Sequence, residues 1–580
     1  MILQALTSYY ESLAEKGQIA RPGWSSARIA WAIMLDRDGV LRRIAPLQTQ
    51  AEGRKPQAMS FVLPAPVKRT VAIDPNFLWD NASYLLGIDS KGKPERSRRC
   101  FEAAAALHHK LLDDLDSAAA RAICRFFDSW EPAEASAHPA LNGILDQVTA
   151  GGNLLFMADG SYAHDDPQIK RAWQSFYDGS GFGEIAQCLV TGKAELVAPV
   201  HPAIKGVMGA QSSGAALVSF NAPAFNSYGK EQGYNAPIGK SAAFAYTAAL
   251  NHLLSEKNSH KQIGDTTIVY WAEGGETQYQ GFSAAAMFED APPEGMDEDA
   301  FRSAVAKLAK GLPCPEQGLD PDRTFYILGL TPNAARLSVR FFYRDSFGRL
   351  MKNVNDHHER MAIVRPSYDP HPTIPLWALL RETVNQNART KTPSPVMAGA
   401  VARAVFSGGL YPASLLQAVM LRIRAEHEVT RGRAAIIKAY YLRLYANMPE
   451  STLLEVMQMQ LNESCTYLPY VLGRLFAIME KIQIESVNGP LNRTIKDSLF
   501  NAAATTPNSA FARLFPLNEY HLKKLLRDKK GLGIIYDNMK SHIAAMINSP
   551  IPSRFSNEET NCFYIGYYHQ RHQLYEKKEG

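Results

Sequence analysis

The sequence predicts a multi-domain α+β protein, with an irregular mixed N-terminal region containing antiparallel sheets followed by a C-terminal α-helical bundle. Three observations carry this. Strand-like runs and Ala-rich helical runs interleave over the first two thirds with no regular βαβ alternation and no fixed-period repeat. Prolines then cluster at Pro366, Pro370, Pro372, Pro375, Pro393 and Pro395. Beyond them, apolar residues recur at helical spacing. The expected organisation is a mixed region over 1–365, a proline-rich connection over 366–396 and a bundle over 397–580.

Taken in order, the chain opens with a short amphipathic helix that carries Ile2, Leu6 and Tyr9 on one side and ends at Gly17. Residues 28–35 read as a strand, Asp38-Gly39 as a hairpin turn and Val40-Leu41 as the start of the return strand. Further strands are expected at 153–157, 215–220 and 266–271, with helices over 99–115 and 241–254. A better-defined hairpin pairs 324–328 with 336–341 around Thr331-Pro332-Asn333. Its second strand turns Leu337, Val339 and Phe341 one way and Arg336, Ser338 and Arg340 the other. The basic outer face is either ordinary solvated surface or a phosphate contact.

In the helical third, Pro412 suits a first helical position ahead of Leu415, Leu416, Val419, Met420 and Ile423. Pro469 likewise precedes Leu472, Leu475, Phe476, Met479 and Ile482. Asn518 is a fair N-cap for Leu522, Leu525 and Leu526, and Gly531 a fair stop. On that helix Lys523, Arg527 and Lys530 form one basic stripe.

Composition bounds the function. At 580 residues, with 46% hydrophobic and 21% charged side chains, the chain is neither disordered nor fibrous. A net charge of +5 is mild, so a nucleic-acid site must come from local clustering. The six cysteines lack any C-x-x-C pair and read as free thiols of a reducing cytoplasm. No apolar run is long enough for a membrane helix, and the N-terminus is not a signal peptide, so a cytoplasmic location is expected.

The run Gly229 to Ser241 approaches a phosphate-binding G-x-x-x-x-G-K-[ST] loop, but its spacing fails. Five residues separate Gly233 from Gly239, and Pro237 removes an amide donor. Asp356-His357-His358-Glu359 offers metal-ligand types, yet adjacent residues point apart, and a polar loop is the plainer reading. His108-His109 lacks metal-protease spacing. No catalytic constellation stands out, so no enzyme, metal or cofactor is expected. Basic residues do gather near aromatics: Lys68 and Arg69 before residues 76–81, with Arg96, Arg98 and Arg99 after them. A second group is Arg422, Arg424, Arg431, Arg433, Lys438 and Arg443. Together they make a nucleic-acid backbone the best-suited partner.

Several blocks resemble a known family. They include residues 1–6, 67–81 and 187–192, Gly209-Ala210-Gln211-Ser212-Ser213-Gly214, and the run Ser219-Phe220-Asn221-Ala222-Pro223-Ala224-Phe225 leading to Gly233. Leu472-Gly473-Arg474-Leu475-Phe476-Ala477 and Asn492-Arg493-Thr494-Ile495-Lys496-Asp497 complete the set. Together they resemble the large subunit of the type I-C CRISPR surveillance complex, Cascade (the Cas-eight-c or Csd-one family).

The resemblance implies a non-catalytic DNA-binding subunit that checks the protospacer-adjacent motif on duplex DNA, helps open the strands and holds the displaced one. It implies as partners the guide-RNA-bound Cascade backbone, a small subunit and the helicase–nuclease effector of antiviral defence, with no membrane. The mixed region would then recognise the motif and anchor the complex, and the bundle would resemble the small subunit. Sequence reading beyond the motif would fall to guide-RNA pairing.

Under that resemblance, candidates for motif reading are Asn221, Asn226, Lys230, Gln232 and Asn235, with Lys68, Arg69, Asn76 and Asn81 as a second group. Tyr228 is the wedge candidate, Phe225 being better suited to a core. Arg336, Arg340, Arg422, Arg424, Arg431, Arg433, Lys523, Arg527 and Lys530 are candidates for phosphate and non-target-strand contact. An internal start at Met457 or Met459, in a segment that reads as a linker, would release the bundle as a separate small subunit. The alternative is a nucleotide- or metal-dependent nuclease working through Lys240-Ser241 or Asp356 to Glu359, and a protein-only scaffold is a third reading.

Overall fold

The computed structural model describes residues 1–49, 57–67, 69, 72–90, 92–179, 184–448, 450–487, 489 and 491–576. The chain divides into two compact units, one of residues 1–202 and 218–250, the other of 203–217 and 251–580. The division therefore falls well before the proline cluster.

In the first unit the expected strand over 28–35 is two strands, Trp24–Ile29 and Trp31–Leu35, separated at Ala30 and assigned to different sheets. Trp31–Leu35 pairs antiparallel with Leu41–Pro46 across the Asp38-Gly39 turn and parallel with Leu154–Ala158. Trp24–Ile29 pairs with Gln57–Pro64. Strand alternation explains the two layers. Trp31, Ile33, Leu35, Leu154 and Phe156 join Phe101, Phe126, Phe127 and Trp173 in the main core. Ala32 and Leu155, one residue out of phase, pack with Ala27, Ile29, Leu63 and Trp79. The helix expected over 99–115 is Pro94–Leu112, and it packs on Ala118–Ser129, whose N-cap Ser117 accepts the Ala120 N–H.

The second unit begins with an antiparallel meander of His260–Ile263, Thr266–Ala272, Thr324–Asn333 and Arg336–Ser346. Thr331-Pro332-Asn333 continues the third strand, and the turn is instead Ala334-Ala335, with Ala334 at φ 53°. A bulge leaves Arg340 without a strand partner. Leu337 and Phe341 are buried as expected, whereas Val339 is exposed. Residues 215–220 form no strand, only bridges from Ala215 to Ile204 and from Ala216 to Arg336.

Ile268, Tyr270, Phe325 and Ile327 on this sheet share one hydrophobic cluster with the helices that follow, up to Asn557–Tyr575. Residues 366–396 are part of it: Leu376, Leu379 and Leu380 of helix Leu376–Arg381 are buried there. The proline run is thus a packed segment of one unit rather than a connection between two bodies, because its short helix is apolar on the inner side.

Asn518 caps nothing. It lies buried inside helix Pro507–Asp528, since Phe511, Leu514, Leu522 and Leu525 keep one apolar stripe in phase across the internal Pro516. Gly531 stops nothing either; it lies in the next helix, Lys530–Ala544. Two close-packed helices, Leu468–Glu485 and Asn557–Tyr575, centre the bundle.

Candidate nucleic-acid interface

Residues 221–235 of the first unit form an exposed loop built from two short 3-10 turns, Pro223–Phe225 and Gln232–Asn235. Asn235 organises it. Its Oδ1 accepts the Ser227 N–H at 2.8 Å, and its Nδ2 donates to the carbonyls of Lys230 and Gln232, each at 3.1 Å, and weakly to Asn226 Oδ1. Gly233 anchors the loop from below: its N–H donates to Pro199 O at 2.8 Å, and a Cβ would strike Ala198 O. The tip carries Tyr228 at φ 54° with 100% of its surface exposed, followed by Gly229 at φ 69°.

Asn221, Asn226, Lys230 and Gln232 are exposed around that tip, and Gln232 is itself at φ 46°. Asn235 is only partly exposed, and its amide is already engaged at both ends, so it shapes the loop rather than facing a ligand. Phe225 is exposed, contrary to the core position expected for it.

The run that imitates a phosphate loop lies just beyond and is wired differently. Gly239 N–H donates to Cys188 Sγ at 3.2 Å, and the Ser241 hydroxyl donates to Glu195 Oε2. Burial pushes the Cys188 thiol up, but hydrogen bonds from Thr191, Gly239 and Val190 outweigh it and leave the thiol below its ordinary value. A carboxylate beside the Ser241 hydroxyl is unsuited to a nucleotide's phosphates.

In the second group, Arg69, Asn76 and Asn81 serve the local architecture. Lys68 lies outside the described residues. The Arg69 guanidinium forms a bidentate ion pair with Asp80 and stacks over Tyr84, 4.0 Å from its ring centre. Asn76 is buried and accepts the Val67 N–H at 2.9 Å, while Asn81 caps helix Ala82–Leu85. His108 braces this segment: its Nε2 accepts the Leu78 N–H at 2.9 Å, and burial lowers the ring to about 4, so it stays neutral at physiological pH. An edge-reading role asks for free donors and acceptors, and the Arg69 guanidinium and the side-chain oxygens of Asn76 and Asn81 are already engaged.

The phosphate candidates of the second unit also divide. Arg433 is 1% exposed and paired with Glu426 and Glu382. Arg431 binds Asp369 Oδ2 and His371 O, each at 2.7 Å, as well as Pro372 O. Both were expected on a surface; burial beside carboxylates and carbonyls makes them internal fasteners. Lys438 is buried and donates to the carbonyls of Glu359 and Arg360, ending helix Phe347–Met361. Arg422 faces Glu426 at 3.7 Å, and Arg340 bonds Thr331 and faces Asp265. Arg336 joins strand pairing at the hairpin's end.

Arg424, Lys523, Arg527 and Lys530 are exposed, with Arg424 touching Asn557 and Arg527 paired to the adjoining Asp528. The stripe itself is broken. Lys523 and Arg527 end one helix and Lys530 opens the next. Asp356, His357, His358 and Glu359 sit on a helix, not a loop, and point to different partners: Lys352 and Arg360, Tyr411, Glu289, and Asn355 respectively.

Sequence comparison places this arrangement in a family. The family model described as CRISPR-associated protein (Cas_Csd1) matches residues 6–575, nearly the whole chain. The chain belongs to the Csd1 family of CRISPR-associated proteins. No curated protein matches it at a significant level. Among the described residues of this Csd1-family chain, no helix is long and apolar enough to cross a membrane.

Proposed function

We propose that this Csd1-family chain is the non-catalytic large subunit of a type I-C CRISPR surveillance complex. It checks the protospacer-adjacent motif on duplex DNA, promotes strand opening, steadies the displaced strand and recruits the helicase–nuclease in antiviral defence. The observation that carries this reading, beside the family match, is the 221–235 loop. A fully exposed Tyr228 stands on a left-handed backbone that Asn235 holds in shape, ringed by the exposed side chains of Asn226, Lys230 and Gln232. An aromatic ring held out of any core, at a backbone cost of about 1 kcal/mol, suits a wedge that stacks on or separates a base step. The neighbouring amides and ammonium suit groove edges and phosphates.

Exposed Lys523, Lys530 and Arg424 support a charge-based hold on single-stranded DNA by the second unit. Against the nuclease alternative, Ser241 is bonded to Glu195 and Asp356 is paired with Lys352 and Arg360.

The test is co-purification with a guide-RNA complex, followed by binding to duplexes with and without the correct motif. A fluorescent base analogue next to the motif reports opening. Tyr228→Ala should retain the complex and lose the unstacking signal. Undiminished unstacking removes Tyr228 from the mechanism, and ATP- or Mg²⁺-dependent DNA cleavage by the purified chain overturns the non-catalytic reading.

A further inference from the structure

Helices Pro94–Leu112 and Ala118–Ser129 pack side by side in the first unit, and each brings two ligand-type side chains one turn apart to the same spot. The first contributes His109 and, at its C-cap, Asp113; the second contributes Cys124 and Asp128. His109 Nδ1 hydrogen-bonds Asp113 Oδ1 at 2.9 Å, and its Nε2 lies 3.3 Å from Asp128 Oδ1. One donor atom from each of His109, Asp113 and Cys124 lies within 4.8 Å of the others. Among the described residues, no other three His, Cys, Asp or Glu side chains form such a group.

A tetrahedral ion bound at roughly 2.0–2.3 Å needs its donors a little closer than this. Half-exposed Asp113 and partly exposed His109 have room to turn inward by that amount. The ring nitrogens are already divided between two carboxylates. That is the arrangement in which one nitrogen ligates and a carboxylate behind the other fixes the ring.

We propose that His109 Nδ1, Asp113 and Cys124 Sγ form a binding site for a borderline transition-metal dication, Zn²⁺ foremost, with Asp128 orienting the imidazole. A mixed nitrogen, sulfur and carboxylate set selects such ions over Mg²⁺ or Ca²⁺, which want oxygen alone. Binding replaces the His109–Asp113 hydrogen bond and the thiol S–H by three metal–ligand bonds; the thiol proton and the Nδ1 proton leave through solvent, and the imidazole binds as its Nε2–H tautomer facing Asp128. The site would staple the two helices one residue from His108, which braces the Leu78 turn.

The test uses the purified full-length chain, stripped with chelator and titrated with Co²⁺ alone. One equivalent should produce a near-ultraviolet thiolate-to-cobalt band that Zn²⁺ abolishes by displacement. Cys124→Ser should lose the band, and Cys465→Ser should keep it. Asp113→Asn should weaken Co²⁺ binding at least tenfold, and Asp128→Asn about tenfold. If Cys124→Ser does not fold, as judged by circular dichroism, the exposed Asp113→Asn decides. The proposal is overturned by a wild-type chain with no thiolate–cobalt band, by a band that survives in folded Cys124→Ser, or by unchanged affinity in Asp113→Asn. In each of those cases His109 is only a hydrogen-bonding bridge between two helices.

Discussion

Asn235 and Gln232 are three residues apart and do different work. Asn235 closes its loop from inside, so Asn235→Ala should weaken binding to motif and scrambled duplexes alike. The exposed Gln232 side chain is free to meet a base edge, and Gln232→Ala should cost ~1–3 kcal/mol on the correct motif alone. Gel-shift titrations on both duplexes separate the two; a motif-selective loss from Asn235→Ala would make it a reader after all.

In the second unit, His569 Nδ1 receives the Tyr470 hydroxyl at 3.0 Å, and that hydroxyl accepts the Asn462 N–H. Burial, helped by Lys438, His572 and Arg474, lowers His569 to about 3. The folded pKa lies below the unfolded value of about 6.5, so the unfolded chain binds the proton more readily. Stability is therefore full above that value and falls progressively as pH drops toward 3. His569→Gln should flatten this acid limb in denaturant melts taken from pH 7 to 4. An identical slope in the variant assigns the limb to other groups.

Among the elements, helices Leu468–Glu485 and Asn557–Tyr575 meet backbone to backbone at two glycines. A Cβ on Gly473 would collide with Phe563 O, and one on Gly566 with Tyr470 O. Gly473→Ala and Gly566→Ala should each destabilise the unit by ~1–3 kcal/mol, read from urea melts, despite alanine's better helix propensity. A stabilised variant would show that the helices can part at no cost.

The helices also sort the cations. Arg433→Ala strips Glu426 and Glu382 of a buried partner and should cost ~3–5 kcal/mol of stability without altering the salt dependence of DNA binding. Lys523→Ala and Lys530→Ala should leave the melt unchanged and lower the salt slope by about one per lost phosphate contact. The same slope in all three variants places the strand elsewhere.

For the molecule as a whole, the proposed internal start is the sharpest question. Met457 is not in a linker: it is 1% exposed, follows helix Thr452–Val456 and belongs to the core, whereas Met459 is exposed. A product starting there would leave behind helix Arg431–Leu444, which packs on Asn557–Tyr575. Such a fragment should therefore be sticky alone and recovered with partner subunits. Mass spectrometry of the unaltered gene's products, and of a gene with both Met codons changed to Leu, tests the start. Met-to-Leu exchange in a core costs under about 1.5 kcal/mol, so the full chain should still fold. No C-terminal product from the unaltered gene removes the internal start.

Much was legible without coordinates. Short β-branched and aromatic runs announced Thr266–Ala272 and the first strand of the hairpin that ends at Ser346, alternation announced its second strand, and period-3.6 runs announced the helices after Pro412 and Pro469. These depend on local sterics and local burial, which a short window contains. The family was legible too, in blocks spread along the chain. What a window does not contain is a partner brought from afar. Arg431 reads as surface until Asp369, 62 positions earlier, arrives beside it. Arg69 reads as a groove reader until Asp80 and Tyr84 close on it. His109 and Cys124 show no metal spacing in one dimension, because the second helix must fold back to bring Cys124 and Asp128 to His109 and Asp113. Sequence alone determined the best-marked elements, the fold class and the family. Tertiary structure decided which charges face water, since desolvation and pairing depend on neighbours distant along the chain.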